Sequence, residues 1–166
     1  IQTLVAALLL APGTGLLAEP AAQSATLAEA LASGTPHIGF RYRLESVDQD
    51  GIANRATAST LRTRLNYATA PFRGFSGFIE LDDVSYLGQD RFNNSRNGKV
   101  AYPAVTDPDG TGLNQFYIKY AAAGAALTLG RQRINLDNQR FVGGVGWRQN
   151  EQTYDAVSGV FDVAAD

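Results

Sequence analysis

The chain has no cysteine, which excludes structural disulfides and thiolate metal sites. It has one histidine, His37 beside Pro36, so no serine–histidine or multi-histidine metal site is expected to assemble from its own residues, and no catalytic residue, metal or cofactor is expected. It has little excess charge: the formal net charge is -2 with pI about 5.4, and the basic residues are scattered, so no basic field favours nucleic acid. Methionine is absent too, even as an initiator, and the sequence is therefore expected to be a fragment at its N-terminal end. Long apolar runs are almost missing. The exception, residues 1–18 (IQTLVAALLLAPGTGLLA), is broken by Pro12 and Gly13, short of the about 20 apolar residues that a spanning helix needs. It reads as the core and cleavage region of a secretory signal peptide without its basic start, a buried core helix or short anchor being the alternative. If cleaved, it does not belong to the fold.

Residues 19–34 read as a periplasmic leader. SATLAEALAS puts Leu27, Ala30 and Leu31 on one helical face behind a Ser24 cap, with Gly34 as the stop. A plain connection to the first strand and a plug or assembly role are both open.

From residue 35 the period changes to two. Ile38, Phe40, Tyr42 and Leu44 alternate with Arg41, Arg43 and Glu45; Leu61, Thr63, Leu65 and Tyr67 alternate with Thr60, Arg62, Arg64 and Asn66. Further strands are expected over 74–84, 113–122, 125–133 and 151–161, the last with the weakest pattern. The connections between the six strands run long, short, long, short, long. That is the rule of an outer-membrane barrel, with long loops outside and tight turns in the periplasm, and a soluble sandwich has no reason to sort its loops so. Tyr42, Tyr67, Phe75 and Tyr120 fall on the apolar faces, as interfacial aromatics do. Six strands are too few to close a membrane barrel, which needs about 8 or more. Residues 35–166 are thus expected to form the N-terminal part of an all-β, antiparallel up-and-down transmembrane β-barrel, as one sheet with Phe40, Leu65, Ile79 and Ile118 on its convex face and two open edges.

The polar faces carry the chemistry. Four guanidiniums facing lipid would cost about 2 to 4 kcal/mol each near the midplane, so Arg41, Arg43, Arg62 and Arg64 are expected to face the lumen. There they form either an electropositive track for anions or a ladder neutralised by Glu45, Glu80 and Asp82. The richest polar stretch is 129–155, where Arg131, Arg133, Arg140 and Arg148 stand among Gln132, Asn135, Asn138, Gln139, Gln149 and Asn150, with Gly143, Gly144 and Gly146 supplying sharp backbone freedom before Trp147. Such donors must meet water, a solute or another polar wall. Strict alternation turns Arg131 and Arg133 outward, unless the register shifts after Gly130. With Glu80 and Lys119, these eight arginines are the candidate pore-lining or solute-binding side chains. DQDG at 48–51 and DPDG at 107–110 lack full calcium-loop spacing and read as turns.

The segment GRQRINLDNQRFVGGVGWRQNEQTYDA also resembles the signature of the alginate export-like outer-membrane porins of Gram-negative bacteria. FRYRLESVDQDG, ASTLRTRL, GFSGFIELDDV and AYPAVTDPDGTGLNQFYIKY resemble the same family in the same order, so the similarity runs over about residues 34–161. The resemblance implies a monomeric barrel in outer-membrane lipid that passes polar or anionic solutes, with export of an anionic polysaccharide as an extension. A surface structural, adhesion or receptor barrel with a blocked lumen is the reading from another class.

Overall fold

A computed structural model describes residues 5–11, 23–88 and 90–162. Six strands follow the period-two pattern: β2 (Thr35–Val47), β3 (Ala56–Ala68), β4 (Phe75–Tyr86), β5 (Gly110–Ala122), β6 (Ala125–Gln132) and β7 (Tyr154–Asp162). Each pairs antiparallel with the next, giving a single up-and-down sheet that does not close. Strands of 12 or 13 residues in β2 to β5 exceed the roughly 9–11 needed to cross a bilayer at a tilt. Among the described residues no helix is long and apolar enough to cross a membrane.

Among the described residues the sheet has two open edges, β2 at one side and, at the other, a strand that covers β7. Val5–Ala11, inside the stretch read as a signal peptide, forms β1 and pairs in parallel with β7. An edge strand presents a row of unpaired N–H and C=O groups, and any extended segment that reaches it can satisfy them. The rest of the leader region, residues 1–4 and 12–18, and the end of the chain at 163–166 lie outside the described residues.

The two faces of the sheet differ in kind. On one, Phe40, Leu65 and Ile118 are 68%, 50% and 54% exposed, and Ile79 lies with them. No second sheet or helix layer covers this side among the described residues. On the other, Thr60, Arg62, Glu80, Asp82 and Gln115 are buried. The apolar side is outside and the polar side is packed, the inverse of a water-soluble sandwich.

Both short connections, 69–74 and 123–124, close through a two-residue turn at one end of the sheet. Phe72 and Phe75 exchange backbone hydrogen bonds at 2.8 and 2.9 Å around Arg73 and Gly74. Ala122 pairs with Ala125 around Ala123 and Gly124. All four central residues have positive φ (52° and 83°, 43° and 76°), the combination of a type I′ turn that suits the twist of the strands. Ala123 has no local hydrogen bond to compensate a left-handed backbone, whereas asparagine does. Ala123→Asn is expected to stabilise the intact barrel by about 1 kcal/mol, read as a higher urea midpoint on unfolding.

The leader helix is α1 (Leu27–Ala32), two residues later than its sequence suggests: Thr26, not Ser24, is the cap, its hydroxyl accepting from Glu29 N at 3.1 Å. Gly34 does not end it through a left-handed backbone. A Cβ there would meet the Tyr67 hydroxyl at 2.2 Å, so glycine is required by close packing. α1 rests on the β3–β4 turn, with Ala70 N donating to Ala30 O at 3.0 Å and Tyr67 donating to Leu31 O. Since Tyr67 lies on the apolar face, the helix sits on that side of the sheet.

The long loops occupy the opposite end and fold over the polar face. Loop 87–109 brings Phe92 and Val105 against Ala56 and Ala58 of β3, a small apolar core with Val47 and Tyr86 at its margin.

Candidate functional site

The polar face of β2 to β4 is a floor of charges, and loop 133–153 is laid across it. Antiparallel register sets Arg41 opposite Arg62 and Arg64 opposite Asp82, so like charges meet on one ladder and opposite charges on the next. Asp82 answers Arg64 with two bonds, 2.7 Å to Nε and 2.6 Å to Nη2. Glu80 is satisfied from several sides, Asn66 donating to its Oε2 at 3.3 Å and Arg64 pairing with its Oε1 at 3.5 Å. A bulge shifts the β4–β5 register between Glu80 and Leu81, so that Asn114 and Gln115 both donate to its Oε1, at 2.8 and 2.9 Å. Arg133 Nη2 also contacts it, at 3.2 Å.

Two loop side chains lock this floor. Gln149 is fully buried: its amide donates to Thr60 Oγ1 at 2.9 Å and Arg41 O at 3.1 Å, its Oε1 accepts from Arg41 Nε at 3.0 Å, and its backbone N–H donates to Asp107 at 2.8 Å. Two residues on, Glu151 accepts from Arg62 at 3.1 Å and Arg133 Nε at 2.7 Å and pairs with Arg64 at 3.1 Å. A carboxylate in that position ties the loop to β3 and to its own base. Arg41 has no carboxylate partner among the described residues and instead donates to the loop carbonyls of Gly146 and Arg148.

A second cluster lies beside it. Arg43 and Arg148 share Glu45 and approach Asp107 at 4.0 and 3.7 Å, and both guanidiniums lie over the Trp147 ring, 4.5 and 4.0 Å from its centroid. Asp107 Oδ2 is buried without a hydrogen bond, so its charge is balanced by those two cations alone. The DPDG turn thus sends its first carboxylate inward as a clasp between the two long loops.

The remaining candidates separate. Arg131 is on the apolar-facing side of β6, forked onto Asp155 at 2.9 Å through both nitrogens. Arg133 follows the last residue of the strand, and there the chain turns inward to Glu80 and Glu151. Lys119 alternates with Ile118 and Tyr120, so it is on the polar side, exposed and without an ion pair among the described residues. Arg140 is exposed at the loop tip over the Phe141 ring, 5.6 Å away, and apart from both clusters. Nor do the loop glycines supply positive φ: Asp137, Gln139 and Val145 do. Gly143 is needed because a Cβ would meet Gln139 at 2.6 Å.

The family model for alginate export matches residues 36–165, the antiparallel sheet but for Thr35 and all three of its long connections. The chain belongs to the alginate export family. No curated protein and no solved structure matches it. An alginate export protein resides in the outer membrane with an export or porin-type role, which assigns the exposed apolar face to lipid and the locked polar face to the interior.

Glu151, outside the strands, makes the lock sensitive to acid. Burial pushes its carboxyl up, but the hydrogen bond from Arg133 and the charges of Arg64 and Arg133 outweigh that and hold it below the usual carboxylate range. A carboxylate depressed by docking contributes to docking above its free pKa of about 4.3. That contribution is lost as pH falls through the lowered value. Hydrogen exchange at the amides of residues 143–153 is therefore expected to lose protection as pH falls below the ordinary glutamate value of about 4.3, beyond the intrinsic rate change. Protection that persists at such pH would exclude Glu151 as the acid-sensitive tie.

Proposed function

We propose that the chain forms part of the wall of a passive diffusion channel in the outer membrane of a Gram-negative bacterium, passing polar and anionic small solutes without a catalytic step. The observation that carries this is the division of one sheet into an exposed apolar face and a charged face under a folded loop. Solutes are sorted by width, which loop 133–153 narrows, and by charge. Most arginines are cancelled by carboxylates, so the field comes from those that are not: Arg41, with no carboxylate within reach among the described residues, and the unpaired Lys119. An anionic polysaccharide would use the same wall. The partners of this reading are outer-membrane lipid and solute, with no nucleic acid, and a monomeric closed barrel in the intact protein.

The buried, fully bonded Gln149 favours one other reading, a receptor or adhesion barrel whose lumen is shut by its own loop. Planar-bilayer recording of the intact protein separates them. Stepwise currents with an anion preference are expected; a protein that inserts and never conducts would sink the channel.

A further inference from the structure

At the end of the sheet that carries the tight turns, α1 and the outer face leave an apolar groove of about 360 Å³. That lies within the roughly 300–1,000 Å³ of small-molecule sites. Leu27, Ala30 and Leu31 form one side; Phe72, Phe75 and Ile118 form the other. Phe75 and Ile118 are exposed members of the face assigned to lipid, so the groove opens from that face and not from the lumen. Arg73 follows Phe72 of the groove wall in the turn, lies 5.2 Å over the Phe72 ring, and is exposed and without an ion pair among the described residues. It holds the first central position of a type I′ turn, where asparagine or glycine would avoid the left-handed penalty of a longer side chain.

We infer that this groove is a binding site for one anionic phospholipid of the periplasmic leaflet, an acyl chain lying between α1 and β4–β5 and the headgroup phosphate on Arg73. This rests on the membrane reading of the wall, not on transport. Continuity with the lipid face names the occupant: the groove is lined almost wholly by apolar side chains, it opens from that face at the end of the strands that carries the tight turns, and a cation stands in the adjoining turn. Among the described residues α1 is the helix that lies against the apolar face, so the enclosed groove is found there.

The test uses the intact protein in detergent, titrated with phosphatidylglycerol and followed by native mass spectrometry. Gly77→Leu fills the groove: an added Cβ meets only Thr69, at 3.5 Å, so the backbone accepts it. Arg73→Asn suits the turn and removes only the cation. The wild type is expected to retain one phosphatidylglycerol, Gly77→Leu to lose it, and Arg73→Asn to bind it about fivefold more weakly, the effect of one basic side chain at a membrane surface. Single-channel conductance of both variants should match the wild type, since neither residue is on the inner wall. Equal retention by all three proteins would overturn the site, as would a change of oligomeric state in Gly77→Leu, which would make the occupant a second copy. Loss of conductance in the wild type itself would bear on the channel reading and leave the lipid result standing.

Discussion

Glu151→Gln is expected to raise single-channel conductance and its noise in the intact protein. The carboxylate joins Arg62 and Arg64 on the wall to Arg133 at the loop base, and its side chain is only 6% exposed. Truncating one partner of a buried, hydrogen-bonded charge pair costs about 2 to 5 kcal/mol, much of it from the charges left behind. Glutamine keeps some hydrogen bonds, so the low end applies. About 2 kcal/mol multiplies the undocked fraction of loop 133–153 by ~30. Gln149→Ala should also raise conductance, because the neutral half of the lock is lost, yet leave ion preference unchanged. If Glu151→Gln altered ion preference alone, with open-level amplitude and noise as in the wild type, the loop would be held by something other than this carboxylate.

The second large effect is on selectivity. Arg62→Gln with Arg64→Gln removes two cations and leaves Glu80, Asp82 and Glu151 under-compensated, so the reversal potential should move toward cations. Insertion should be preserved, since Leu65, Ile79 and the other lipid-facing side chains are untouched. The shift should shrink in 1 M salt, where the Debye length is about 3 Å. An unchanged reversal potential would mean that the wall pairs serve only as a structural ladder and that selectivity comes from loop residues 135–148.

Much of this fold is legible from period two alone. Arg41, Arg43, Arg62 and Arg64 each alternate with a large apolar residue, and lipid tolerates only one of the two faces, so the orientation of β2 and β3 follows without tertiary information. The tight turns were legible from their length. What alternation cannot supply is what happens when a strand stops. Arg133 is one residue past β6, and strict alternation would turn it outward; it is freed to turn inward, whereas Arg131, still inside the ladder, stays out beside Asp155. The burial of Gln149, Glu151 and Asp107 was not legible for a related reason. Each stands in or beside a polar loop where any residue reads as solvated, and only a loop folded back across more than 40 residues of sequence reveals them as buried. A surplus of amides and carboxylates in a loop opposite arginine-rich strands was the available signal. The glycines misled in the same way: the freedom they advertise is used at Gly130, where φ is +127° and a Cβ would meet Phe116 O at 2.4 Å, while in the loop Gly143 serves packing.

The orientation of the sheet is tested most directly by single cysteines, because the chain has none of its own. Ile118→Cys and Lys119→Cys are neighbours on opposite faces of β5, as are Leu65→Cys and Asn66→Cys on β3. During bilayer recording of the intact protein, a membrane-impermeant charged methanethiosulfonate is added to each. Current should change in steps for residues 66 and 119 and stay constant for 65 and 118. Modification of 65 and 118 instead, or of all four alike, would contradict a wall with its apolar face in lipid and its charged face on the lumen.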